Sequence, residues 1–128
     1  MLATAREVKK QEINAWRDRQ ENGSVIFEFN GHAWDGGKAS QSRLSPVISA
    51  AQAGMLPPGF FWTDADNYDV ELTTEELVQL AGAMTQAIVA EGFRIHERQR
   101  QMKADVAALQ RLEDIRAYPV GWPEVDSE

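Results

Sequence analysis

Asn30-Gly31 constrains this chain more than any other pair of residues. It sits between Val25-Ile26-Phe27-Glu28-Phe29 and His32-Ala33-Trp34-Asp35, two short β-branched and aromatic runs. Asn-Gly is the preferred pair for a two-residue type I′ turn, because both central positions need positive φ. Such a turn leaves one register: Phe29 opposite His32, Phe27 opposite Trp34 and Val25 opposite Gly36, all on one side of the ribbon. Phe27 and Trp34 then form a cross-strand aromatic pair on a face that must be buried. A lone two-stranded ribbon is marginal in water, so the rest of the chain has to supply the cover.

A second hairpin is expected over residues 60–72. Phe60-Phe61-Trp62-Thr63 and Tyr68-Asp69-Val70-Glu71-Leu72 flank a polar turn. A three-residue loop, Ala65-Asp66-Asn67 with Asn67 left-handed, sets Trp62 opposite Val70 and Phe60 opposite Leu72. Trp34 and Trp62 therefore both fall on core faces.

Helices are expected over residues 3–22, 39–53 and 74–113. The first carries only a narrow apolar stripe, Val8, Ile13 and Trp16, and ends at Asn22-Gly23. In the second, Leu44, Val47, Ile48 and Ala51 share a face and Gly54 is the stop. Ser45-Pro46 either caps a second piece or kinks one continuous helix. The third opens with Thr73-Thr74-Glu75-Glu76, a capping box, and continues with the stripe Leu77, Leu80, Ala81, Met84, Ala87 and Ile88. The fold class is thus α+β: two hairpins interleaved with helices, the last one long. At 128 residues the chain suits one domain, residues 1–123, followed by an acidic mobile tail, residues 124–128.

Past Gly92 the apolar residues thin out. Ile95, Met102, Leu109 and Leu112 fall near heptad spacing within a polar stretch. A helix of that polarity needs a cover, supplied either by the N-terminal helix as an antiparallel pair or by a second copy in a weak homo-oligomer. Trp16, Ile95, Met102, Leu109 and Trp122 are accordingly the candidate partner-contact residues.

Composition narrows the function classes. With no cysteine, disulfides, thiolate nucleophiles and thiolate metal sites are excluded. A net charge of −7 argues against a nucleic-acid partner or an anionic membrane surface. Asp64, Asp66, Asn67 and Asp69 begin like a calcium loop but lack the glycine at its sixth position, and Asp and Asn are ordinary turn residues. The two histidines, His32 and His96, have no companion ligands in sequence. Walker, dinucleotide and nucleophile-elbow motifs are missing. The expectation is no catalytic, cofactor-binding or metal-ligating residue, and no enzyme.

The strings Gln11 to Gln20 (QEINAWRDRQ), Phe27 to Asp35 (FEFNGHAWD), Phe61 to Val70 (FWTDADNYDV) and Ala117 to Pro123 (AYPVGWP) occur in an order that resembles a domain of unknown function found in bacteriophage tail proteins. That domain lies near the C-terminus of tail-fibre and tail-fibre assembly proteins. The resemblance implies a tail-associated protein acting by protein–protein contact, as a tail-fibre assembly chaperone or a small tail component. It also implies a tail-fibre or other tail protein as partner, and a location in the host bacterial cytoplasm or in the virion tail. The reading from a different class is a carbohydrate- or peptide-binding module that uses exposed tryptophans.

Overall fold

The computed structural model describes residues 1–123, so the tail expected over 124–128 lies outside the described residues. In chain order the elements are α1 (Leu2–Glu21), β1 (Val25–Phe29), β2 (His32–Gly36), α2 (Lys38–Gln52), β3 (Phe61–Thr63), β4 (Asp69–Glu71), α3 (Thr74–Ala108) and α4 (Leu112–Ala117). The strands form two separate antiparallel pairs, β1-β2 and β3-β4. This is the α+β arrangement expected. Among the described residues, no helix is long and apolar enough to cross a membrane. The chain gathers into two compact units, Asn22–Glu91 and Met1–Glu21 with the chain from Gly92 onward, and α3 runs through the boundary as one helix.

In the unit Asn22–Glu91 the turn chemistry acts as the residues dictate. Asn30 and Gly31 adopt φ of 56° and 78°, and the register places Phe27 opposite Trp34 and Phe29 opposite His32. Gly36 and Gly37 let the chain leave the ribbon. At Gly37 φ is 131°, and a Cβ there would lie 3.1 Å from the Ser24 Cα. Asn67 is left-handed as well (φ 70°), and Trp62 pairs with Val70 in the expected register.

The helix α2 is continuous through Pro46. The proline removes the donor for the Ser42 carbonyl, and Ser42 and Pro46 are both exposed, so no orphaned acceptor is sealed inside. The helix stops at Gly54 in a Schellman motif: the Met55 N–H donates to the Ala50 carbonyl (2.8 Å) and the Gly54 N–H to the Ala51 carbonyl (3.0 Å). At the start of α3 the Glu76 N–H donates to Thr73 Oγ1 (3.1 Å), and the Thr73 N–H to Glu76 Oε1 (2.9 Å). The Thr73 N–H first, and then the Thr73 hydroxyl, hold the Glu76 carboxyl below its ordinary value. The core gathers Trp34, Leu44, Ala51, Leu77, Leu80 and Met84, with Phe27, Phe29, Trp62 and Val70 partly buried against it.

The other unit differs from the sequence reading in two ways. On α1 the inward residues are Lys9, Ile13 and Trp16, while Val8 is exposed. Lys9 sits one turn before Ile13 on the same face, and its ammonium has partners there. It donates to the carbonyls of Arg116 (3.1 Å) and Tyr118 (3.2 Å) and pairs with Glu12.

The second difference is the end of α3, which stops at Ala108 rather than continuing to residue 113. The Leu109 N–H reaches back only to the Val106 carbonyl, and Arg111 is extended at φ −113°, ψ 133°. Arg6 Nη2 from α1 donates to the freed Leu109 carbonyl at 2.6 Å. A straight helix would carry Ile115 away at about 1.5 Å per residue. The break lets α4 put Ile115 into the core with Ile13, Trp16, Ile95, Met102 and Val106.

Candidate functional site

The unit containing α1 is closed by the segment after α4. Tyr118 donates its hydroxyl proton to Asp105 Oδ2 (2.8 Å); burial, and then that bond and the Asp105 charge, push the phenol above its ordinary value. Arg98 Nε donates to the Gly121 carbonyl at 2.7 Å, and the Gly121 N–H lies 3.5 Å from Met102 Sδ. These contacts deliver Trp122 edge-on to Trp16, with centroids 5.1 Å apart at 77°. Edge-to-face pairs of this kind are favourable beyond the area they bury. The Trp122 indole N–H donates to Gln20 Oε1 (3.2 Å), and the Arg94 guanidinium stands 4.6 Å over its ring.

Beside this stack lies an open cleft of about 650 Å³, lined by Phe93, Arg94, Glu97, Arg98, Arg100 and Trp122 among others. Phe93 is 64% exposed. Three arginines and one glutamate give the named lining a positive balance in a chain of net charge −7. An aromatic surface rimmed by guanidinium groups suits an apolar segment that carries carboxylates.

Of the five residues expected to contact a partner, three lie inside the chain's own core. Trp16, Ile95 and Met102 are buried together, Ile95 at 2% and Met102 at 0% exposure, and Leu109 and Trp122 pack partly buried against them. The polar residues along the two helices run in opposite order: Arg6 meets Leu109, and Arg17 Nη1 donates to Gln99 Oε1 (3.1 Å). Within the chain, α1 lies antiparallel to this stretch of α3 and shares its core with Ile95 and Met102. The sequence reading missed Phe93 and the arginines around it, since a single phenylalanine in a charged helix carries no periodic signal.

In the unit Asn22–Glu91 the polar feature is Asp64, whose side chain is almost fully enclosed. Its Oδ1 accepts the backbone N–H of Asp66 (2.9 Å) and of Tyr68 (2.8 Å), and its Oδ2 lies 2.8 Å from His32 Nδ1. Burial pushes the carboxyl up. The bonds from Tyr68, His32 and Asp66 outweigh that and hold it below its ordinary value. The Ala65 N–H donates to the Ala33 carbonyl at 2.8 Å, so the second loop is tied to β2 by backbone as well. Both Asp64 oxygens are thus engaged in organising the turn. Among the described residues, no group of three or more His, Cys, Asp or Glu is placed to hold a metal ion. Trp16 and Trp34 are buried, and Trp62 and Trp122 are half-buried.

No curated protein and no solved structure matches the chain. The family described as "Domain of unknown function (DUF4376)" matches residues 4–119, from α1 through α4, and the chain belongs to that family.

Proposed function

We propose that this protein is a phage or prophage tail-associated protein that works by protein–protein contact, as a tail-fibre assembly chaperone or a small tail component. The order of the aromatic and turn motifs along the chain supports the tail association. The observation that carries the contact reading is the cleft beside Trp122, with Phe93 exposed and arginines around it. An acidic, partly apolar segment of a tail protein is the chemistry that fits it, and such a contact is made in the host cytoplasm during assembly or in the finished tail.

The test is co-expression with the tail-fibre protein encoded beside this gene. A complex of defined stoichiometry in size-exclusion chromatography with light scattering is expected, and Phe93→Asp should dissolve it while the circular dichroism of the chain stays unchanged. A fibre protein that assembles equally well without this chain, and forms no complex with it, refutes the reading.

A further inference from the structure

A second pocket, of about 270 Å³, lies between α1 and the last turns of α3, lined by Arg6, Lys10, Ile13, Lys103, Val106 and Ala107. Residues 6, 10 and 13 share one face of α1, and 103, 106 and 107 share one face of α3, so the helical period itself gathers these side chains. The floor is apolar, since Ile13 and Val106 belong to the buried core. The rim is cationic. Among the described residues, none of Arg6, Lys10 and Lys103 forms an ion pair with a carboxylate.

Three of the chain's 13 basic residues gather at this one small pocket, with no carboxylate in its lining. Two further observations bear on it. Arg6 spends Nη2 on the Leu109 carbonyl, while its Nε is buried without any hydrogen-bond partner. Burial, and then repulsion from Arg17 and Lys10, hold the Lys103 ammonium below its ordinary value. Lys10 and Lys103 are therefore unfavourable neighbours, and an anion between them relieves that repulsion.

We propose that this pocket binds a small phosphate-bearing ligand, its phosphate among Arg6, Lys10 and Lys103 and its apolar part over Ile13, Val106 and Ala107. A divalent oxyanion answers several unpaired cations at once, and Arg and Lys are the side chains that hold phosphate. The volume lies just below the usual range of about 300–1,000 Å³ for small-molecule sites, which points to a phosphate monoester with a short organic group. The inference is independent of the tail-protein contact, which rests on another cleft.

Calorimetric titration of the full chain with inorganic phosphate and with phenyl phosphate, at ionic strength held constant by chloride, tests it. Saturable binding of both is expected, tighter for phenyl phosphate, with a ligand-dependent rise in Tm. Lys10→Gln and Lys103→Gln each weaken binding at least about tenfold without lowering the Tm of the free protein. Lys38→Gln, at the start of α2, leaves the affinity unchanged. Absence of saturable binding with either probe overturns the proposal, as does full affinity in the Lys10→Gln/Lys103→Gln double variant. Capture of an acidic Glu/Leu peptide at this pocket, with neither phosphate probe bound, overturns it in favour of a protein ligand.

Discussion

Truncating Trp34 removes the centre of the β1-β2 ribbon's buried face. The ring is 1% exposed, stands opposite Phe27 and packs with Leu44, Leu77, Leu80 and Met84. Its indole N–H donates to the Phe29 carbonyl at 2.8 Å. A buried aromatic of this kind removes about 150–250 Å² from water. At about 25 cal/mol per Å² that is about 4–6 kcal/mol, an upper bound because the unfolded chain already hides part of the ring. Measured Trp→Ala losses in cores run to about 3–5 kcal/mol, and the lost indole hydrogen bond to Phe29 keeps this case in the upper part of that span.

We expect Trp34→Ala to cost about 4 kcal/mol, a large share of the stability of an ordinary domain. Trp62 is only half-buried on β3, so Trp62→Ala should cost about 2 kcal/mol. Trp34→Phe keeps an aromatic ring but loses the hydrogen bond and some volume, at about 1–2 kcal/mol. Urea titration followed by far-ultraviolet circular dichroism measures all three. A loss below about 1 kcal/mol for Trp34→Ala, or a larger loss at Trp62 than at Trp34, refutes the packing argument.

Three further outcomes are expected. Gly37→Ala forces a side chain into positive φ with its Cβ 3.1 Å from backbone, so it should cost more than about 1 kcal/mol, while Gly54→Ala, where no heavy atom lies within 4 Å, should cost less. Because the folded Asp64 carboxyl titrates below its unfolded value, the stability it adds is present above about pH 4 and is lost as the pH falls through the folded value; Asp64→Asn should flatten that part of the acid limb in thermal melts, and an unchanged limb sinks the assignment. Met102→Glu buries a carboxylate at a fully enclosed position, so near-ultraviolet circular dichroism from the Trp16–Trp122 pair should collapse; a folded Met102→Glu variant would mean that the side chain faces solvent.

Local chemistry was legible in the sequence wherever a few neighbouring residues decide the backbone. Asn30-Gly31, Asn67, Gly54 and the Thr73–Glu76 box each impose their own φ or hydrogen bond, and each stands where the residues require. What escaped was polar and distant. His32 and Asp64 meet across 32 positions, and nothing in either string announces the other. Lys9 counts as polar in any reading of amphipathicity, yet two carbonyls at the end of α4 make its burial tolerable. The end of α3 carries neither glycine nor proline at residues 109–111. It is set instead by Arg6 capturing the Leu109 carbonyl and by the burial of Ile115.

The spacing of Ile95, Met102, Leu109 and Leu112 states that α3 needs a cover past Gly92, but periodicity is silent on whose residues provide it. The choice is made by side chains that a hydrophobic pattern discards. Arg6 fixes one level of α1 against Leu109 and Arg17 another against Gln99, in antiparallel order, while Gln20 ties α1 to Trp122 in the segment after α4. An apolar stripe alone accepts a partner in several registers, whereas each of these bonds leaves a donor unsatisfied if α1 slips by a turn. The polar positions that make the stripe a weak seam between copies are therefore the ones that make it specific within the chain. The same register brings Lys10 and Lys103 to one pocket, a juxtaposition of like charges that packing α1 on α3 does not itself require.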